Sequence, residues 1–318
     1  MFKQRAHVGQ YIQCTISKRR LSTKAQVTVR SALGRSTPYI KGWAWQHVLL
    51  ERRLQYLRFQ QSTNDGLNAP QHGMSDRDWL LLFEHEPVYT LGRGASEKHL
   101  TFLTHEDKED MKRLSKKYRG IDAARLLLRS KFQINVEDNQ LISTLIQGGA
   151  IQNCPVYAPN KVPIYRIERG GEVTFHGPGQ LVLYPMLNLR HSPFKQDLHW
   201  YLRQIEEVII LTLQHYDINA NRDGINTGVW VGLDKIAAVG VSSSRWITTH
   251  GCALNVNSNL DAFSKEIITP CGIEERGVTS LYDLMGENCP SMKDVADVMM
   301  RCFGEVFDVE LVEGDDIT

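Results

Sequence analysis

Gly228-Val-Trp-Val-Gly-Leu-Asp-Lys-Ile-Ala-Ala-Val-Gly-Val241 is the stretch on which the fold class turns. Two β-rich pieces, 228–231 and 235–241, flank the turn Gly232-Leu-Asp234, so the chain doubles back as a hairpin. Residues 253–256 add a short strand after it. Before it, the apolar run 181–184, stopped by Pro185, and the run 79–83 read as two more strands. Helices fall between these groups. Trp45, Leu49, Leu50, Leu54 and Leu57 recur at helical spacing over 41–60, which predicts an amphipathic helix. Asp197 is a good N-cap for a helix to Tyr216, with Leu198, Tyr201, Leu202, Ile205, Val208, Ile209 and Leu213 on one stripe. Ser291-Met-Lys-Asp294 opens the last helix in a capping-box pattern, and Val295, Val298, Met299, Cys302 and Val306 give it one apolar face. Strands in groups, with no regular strand–helix alternation, predict an α+β fold: a mixed sheet sandwich with flanking helices, rather than a doubly wound sheet.

The 318 residues carry 37 basic and 36 acidic side chains, so no global field draws in nucleic acid or an anionic membrane. No apolar run approaches the roughly 20 residues of a membrane span. Six cysteines stand at 14, 154, 252, 271, 289 and 302, with no C-x-x-C pair, which supports neither a zinc site nor a disulfide framework. Charge is uneven at the start, because the first acidic residue is Glu51. Lys3, Arg5, Lys18, Arg19, Arg20, Lys24, Arg30 and Arg35 alternate with serine and threonine, the composition of a mitochondrial transit peptide, and Arg19-Arg-Leu-Ser22 resembles a processing site. The domain reading is therefore a leader over 1–35 and a single catalytic domain over 36–318. Many charges and few large apolar residues from 104 to 119 predict an exposed helix, within a surface insertion over about 101–153.

Three segments carry candidate chemistry. Arg169-Gly-Gly-Glu-Val-Thr-Phe-His-Gly-Pro-Gly-Gln180 packs four glycines, a proline and a histidine into twelve residues. Such backbone can approach a ligand closely and offer N–H donors, or can serve only as a tight link between strands. It is neither a Walker A loop nor a dinucleotide-binding fingerprint. His176 within it is a candidate acid/base, an orienting donor, or a histidine satisfied by its neighbours. Lys235 begins the strand Ile236-Ala-Ala-Val-Gly-Val241, either projecting from a buried sheet or facing water at an edge. Cys271 sits between Pro270 and Gly272 in a turn that suits an accessible nucleophile, and its thiol, near pKa 8.5 when free, needs a positive neighbour to ionise at neutral pH. Lys235 is a candidate for that neighbour.

Taken together these segments resemble the octanoyl-[acyl-carrier-protein]:protein transferase family. Glu84-His-Glu-Pro-Val-Tyr-Thr-Leu-Gly92, the stretch 169–180, Lys235-Ile-Ala-Ala-Val-Gly240, His250-Gly-Cys-Ala-Leu-Asn-Val256 and Thr269-Pro-Cys-Gly272 followed by Val278-Thr-Ser-Leu281 stand in the family's order. The resemblance implies the α+β fold of lipoate and biotin protein ligases, a cysteine–lysine dyad and a carrier-bound octanoyl donor. Matched residue by residue, it makes Cys271 the acyl-accepting nucleophile and Lys235 the group that lowers its pKa. It places substrate binding on Arg169, Gly170, Gly171, Glu172, Val173, Thr174, Phe175 and His176, on Ala238, Val239 and Gly240, and on Gly251, Cys252 and Ala253. It implies no cofactor and no metal. The acceptors it implies are lysines of the lipoyl domains of 2-oxoacid dehydrogenase complexes and of the glycine cleavage H protein, in the mitochondrial matrix. The sequence departs from the family's pattern in the insertion before 153, in about two extra residues between His250 and Cys271, and in Cys252, where a leucine is usual.

Two other readings compete. An ATP-dependent lipoate or octanoate ligase on the same fold has no use for a nucleophilic Cys271. A non-catalytic module that binds lipoyl domains predicts that alkylating Cys271 changes nothing.

Overall fold

A computed structural model describes residues 24–62, 76–109, 138–147, 157–159, 161–268 and 276–315. Eleven strands are named within them: β1 (Ala25–Ser31), β2 (Asp78–Phe83), β3 (Val88–Leu91), β4 (Ile164–Arg166), β5 (Val173–His176), β6 (Gln180–Met186), β7 (Asn221–Arg222), β8 (Val229–Val231), β9 (Asp234–Ser244), β10 (Ile247–Asn255) and β11 (Val309–Glu313). The helices are α1 (Tyr39–Ser62), α2 (Asp138–Gln147), α3 (Leu198–Gln214), α4 (Leu281–Met285) and α5 (Met292–Val306). Eight strands form one mixed sheet in the order β11-β1-β2-β6-β10-β9-β8-β7, and β4-β3-β5 form a small second sheet. The α+β architecture expected from the strand grouping is the one observed.

Period-two alternation sorts the large sheet between two cores. Leu80, Leu82, Leu181 and Leu183 face α3 and α5, where Tyr201, Ile205, Ile209, Val295, Met299 and Phe303 meet them. The intervening Leu81, Phe83, Val182, Tyr184 and Met186 face α1. Both helices on the first face start at side-chain caps: Asp197 accepts from the N–H groups of His199 and Trp200, and Ser291 from that of Asp294. Each such cap stabilises its helix by about 1 kcal/mol. The hairpin lies where the sequence places it, with Val231 opposite Asp234. Strand β6 runs through Pro185 instead of stopping there; Pro185 stands opposite Leu80 in the ladder, and the strand continues to Met186.

Two boundaries are corrected. Strand β1 lies inside the large sheet, parallel to β11 on one side and to β2 on the other. Residues 25–31 therefore belong to the folded domain, and a leader ending at 35 would remove them. The insertion is also less superficial than expected. Leu141, Ile142 and Leu145 of α2 are buried against α1, while 105–109 form an exposed helical turn. The rest of the segment lies outside the described residues. Among the described residues no helix is long and apolar enough to cross a membrane.

Candidate active site

The glycine-rich stretch joins the two sheets. Residues 169–171 turn over β9, 173–176 form β5 of the small sheet, and Gln180 starts β6 of the large one. Gly170 N–H donates to Val241 O at 3.0 Å. The crossing is close at Gly240, where an added Cβ would lie 3.1 Å from Gly170 O. Arg169, buried, locks the turn from behind by donating to Thr90 O at 2.8 Å, to Thr90 Oγ1 at 2.9 Å and to Gly170 O at 2.9 Å. Glu172 accepts from Ser96 N–H, which ties the outer edge of the turn to the segment after β3.

A cavity of about 280 Å³ opens beneath this crossing, near the lower end of small-molecule clefts at ~300–1,000 Å³. Its lining includes Lys235, Arg169, Gly170, Gly171, Glu172, Val173, Thr174 and His176, with Ala238, Val239, Gly240, Gly251, Cys252 and Ala253. Segments separated by some sixty residues of sequence thus share one wall. Phe175 is the exception. Alternation along β5 turns it away from the cavity, 5.2 Å from Tyr89 and 5.6 Å from Phe263 between ring centres, in the core of the small sheet. Tyr39, Tyr184, Leu202 and residues 225–227 also line the cavity and stand in none of the motif segments that suggested binding. No local pattern marks them.

Lys235 is buried, 6% exposed, and not an edge lysine facing water. Its Nζ donates to Thr227 O at 3.0 Å and stands 4.6 Å from the centre of the Trp230 ring, two contacts that a cation makes well. Arg276 covers the same ring at 4.7 Å and pairs with Asp223. Asp223 also accepts from the N–H groups of Ile225 and Asn226, and these bonds, with the guanidinium, hold its carboxyl well below the usual range. Cys271 lies outside the described residues. The chain after it runs along Lys235: Lys235 N–H donates to Gly277 O and Thr279 N–H to Lys235 O, both at 3.0 Å. Asn255 secures that alignment by donating to Thr279 O at 3.0 Å while accepting from Gln180 Nε2 at 2.9 Å.

His176 is the far end of this chain of bonds. Its Nδ1 donates to Gln180 Oε1 at 2.7 Å, leaving Nε2 as an acceptor. Burial, reinforced by the neighbouring His85, pushes His176 down to about 3. Burial likewise pushes His85 down to about 4, against the opposing pull of Thr37 O. Both rings are neutral at physiological pH, so His176 acts as a donor–acceptor bridge rather than a cationic acid. Their folded pKa values lie below the ordinary 6.5. The unfolded chain therefore takes up protons that the native state refuses as pH falls below that value. Stability from each is complete above about pH 6.5 and declines below it by about 1.4 kcal/mol per pH unit. The melting temperature is expected to fall from pH 7 to pH 5, and His85→Asn and His176→Asn each to flatten that slope. An unchanged slope in both variants would contradict the neutral assignment.

The floor of the cavity rests on a buried carboxylate. Glu168 Oε1 accepts from His47 Nε2 at 2.8 Å and from His250 Nε2 at 3.0 Å, and Oε2 accepts from Trp43 Nε1 at 3.2 Å. Burial by itself would raise this carboxyl, but the two imidazoles overcome it and hold Glu168 well below the usual range. His250 needs the support, because its backbone sits at φ +59°, the left-handed region. Gln46 Oε1 accepts its N–H at 2.6 Å. Cys252, next but one, is buried and its thiol is pushed up to about 12. It lines the cavity as a small apolar group and not as a second nucleophile.

The fold and this cleft define a class first. Residues 148–304 match the model of the lipoyl protein ligase A/B catalytic domain. Lipoate-protein ligase A bound with ATP superposes with a TM-score of 0.52 at 16% identity, covering 92% of this chain and 90% of that one. A putative lipoate protein ligase from T. acidophilum, with bound lipoic acid, gives 0.52 at 14% identity over 93% and 90%. At these identities the likeness is one of fold. The sequence relatives are more specific. An octanoyltransferase of Nostoc sp. is 38% identical, covering 87% of this chain and 90% of its own, and a chloroplastic octanoyltransferase of Arabidopsis thaliana is 36% identical over 86% and 76%. The chain belongs to the octanoyltransferase family, and it is an acyltransferase.

Proposed function

We propose that this chain takes an octanoyl group from octanoyl-acyl-carrier protein as a thioester on Cys271 and passes it to a specific lysine of lipoyl domains. The observation that carries the reading is Lys235, a buried lysine lining the cleft, with residues 277–279, which follow Cys271 in the chain, bonded along its backbone. In the first half-reaction the Cys271 thiolate attacks the carrier thioester, a C–S bond forms to Cys271, and the carrier departs with its sulfur protonated. In the second, the acceptor amine attacks the acyl-enzyme, the new C–S bond breaks, and the proton lost by the amine returns to the Cys271–Lys235 pair. Exchange between thioesters is nearly balanced, and amide formation drives the sequence without ATP. The acceptors under this reading are the lipoyl domains of 2-oxoacid dehydrogenase complexes and the glycine cleavage H protein.

Mass spectrometry after exposure to octanoyl-carrier tests this directly. One octanoyl addition on the peptide containing Cys271 is expected, and none in Cys271→Ala. An adduct on another residue removes the proposed nucleophile. Transfer from free octanoate with ATP, but not from the carrier, makes the protein a ligase.

Import into the mitochondrial matrix is part of the same proposal, supported by the acid-free basic stretch before Glu51. A relative named as chloroplastic favours an organelle in general. Since β1 starts at Ala25, cleavage is placed before it. Residues 1–24 fused to a fluorescent protein are expected to direct it to mitochondria, and a plastid or cytosolic signal would refute this.

A further inference from the structure

The cavity lining runs from exposed to buried residues. It reaches the surface at residues 225–227, with Ile225 94% exposed, and at Gly170 and Gly171, and Lys235 bonds to Thr227 on that side. Its buried part is made of rings: Tyr39 at the start of α1, only 3% exposed, with Tyr184, His176 and His250. Tyr39 lies nearly parallel to His176, 5.8 Å between centres at 10°, and is backed by Tyr165 at 6.0 Å and by the edge of His85 at 5.2 Å. His85 is itself fixed, with Nδ1 donating to Thr37 O at 3.0 Å and Nε2 accepting from the Tyr184 hydroxyl at 2.9 Å. Tyr39 is therefore held between the stacked rings of His176 and Tyr165. The His176 imidazole in this wall and the His85 ring behind it are neutral, so a hydrocarbon end can lie against them without stripping water from a charge.

We propose that Tyr39 sets the acyl-chain length, its ring being the end wall against which the last carbons of the chain stop. The inference rests on the acyl chain lying in this cavity with its carbonyl toward Lys235. Tyr39 belongs to none of the motif segments, and its effect is on which acyl chain fits, not on the reaction at the carbonyl.

The test is a ladder of saturated acyl-carriers from hexanoyl to dodecanoyl, read as kcat/KM for transfer to a lipoyl domain. Tyr39→Ala is expected to raise the decanoyl-to-octanoyl ratio about tenfold, the gain from burying two further methylenes. Tyr39→Trp should move the preference toward hexanoyl, and Tyr39→Phe, which keeps the wall, should retain the wild-type profile. An octanoyl optimum unchanged in both Tyr39→Ala and Tyr39→Trp, with transfer intact, overturns the proposal. If Tyr39→Ala does not fold, Tyr39→Leu decides in its place: a shift to decanoyl supports the wall, and a retained octanoyl optimum removes it. The two readings fail differently. Wild-type protein that transfers no member of the ladder overturns the functional reading, whereas wild-type transfer with profiles insensitive to Tyr39 overturns only the wall.

Discussion

Replacing Lys235 with alanine is expected to slow octanoyl transfer by at least a hundredfold and to move the pH midpoint for alkylation of Cys271 upward. The size follows from the buried site. A positioned proton-transfer group contributes about 10²–10⁴ in rate, and a free cysteine near pKa 8.5 leaves little thiolate at neutral pH without a cation beside it. The ammonium is held at that spot by Thr227 O and the Trp230 ring, and Gly228 crowds its stem, with a Cβ added there lying 3.2 Å from Lys235 Cε. Lys235→Arg separates two roles. Arginine keeps the charge but does not give up its proton, so alkylation should stay fast while transfer to the acceptor amine falls. Equal loss of both in the two variants would point to disturbed geometry. An unchanged alkylation midpoint in Lys235→Ala would assign thiol activation to another group and refute the dyad.

The largest effect on stability is expected at Glu168. Glu168→Ala leaves His47, His250 and the Trp43 indole facing a buried gap where a carboxylate had accepted from all three. Removing one partner of a buried charged set costs about 3–5 kcal/mol, or roughly 10 °C in melting temperature at 2–4 °C per kcal/mol. Glu168→Gln, which keeps an acceptor, should lose much less. The pH dependence has a definite sign. The folded carboxyl sits well below its ordinary 4.5, so its contribution is present above about pH 4.5 and is lost as pH falls toward the folded value. Because His250 also lines the cavity, any Glu168→Ala protein that folds should show a raised KM for the acyl donor. A melting temperature within 2 °C of wild type, measured by calorimetry at pH 7, would rule out this supporting role.

Much of this molecule is written locally. The hairpin around Gly232, the caps at Asp197 and Ser291, and the apolar stripes of α3 and α5 depend on residues a few positions apart, so they can be read along the chain. The density of glycine in 169–180 also marks backbone that must pass close to something, and the crossing at Gly240 is what it passes. Other features have no local trace. The predicted amphipathic helix is α1, yet Gln46, His47, Glu51 and Arg53 on it are buried. Their partners make that possible: Glu168 stands 121 positions from His47, and Gln46 reaches a backbone 204 positions away. The basic composition of the N-terminal stretch around it disguised β1, because what places 25–31 in the sheet is pairing with 309–313 and 78–82, both distant in sequence. By itself the sequence determined the central strands, the three long helices, the family and the candidate residues. Only the tertiary structure decided that Phe175 leaves the cavity and that Tyr39 and Lys235 are buried in its lining. Periodicity and capping act over one or two turns of chain, whereas a cavity wall is made by residues that meet only after the sheets have packed.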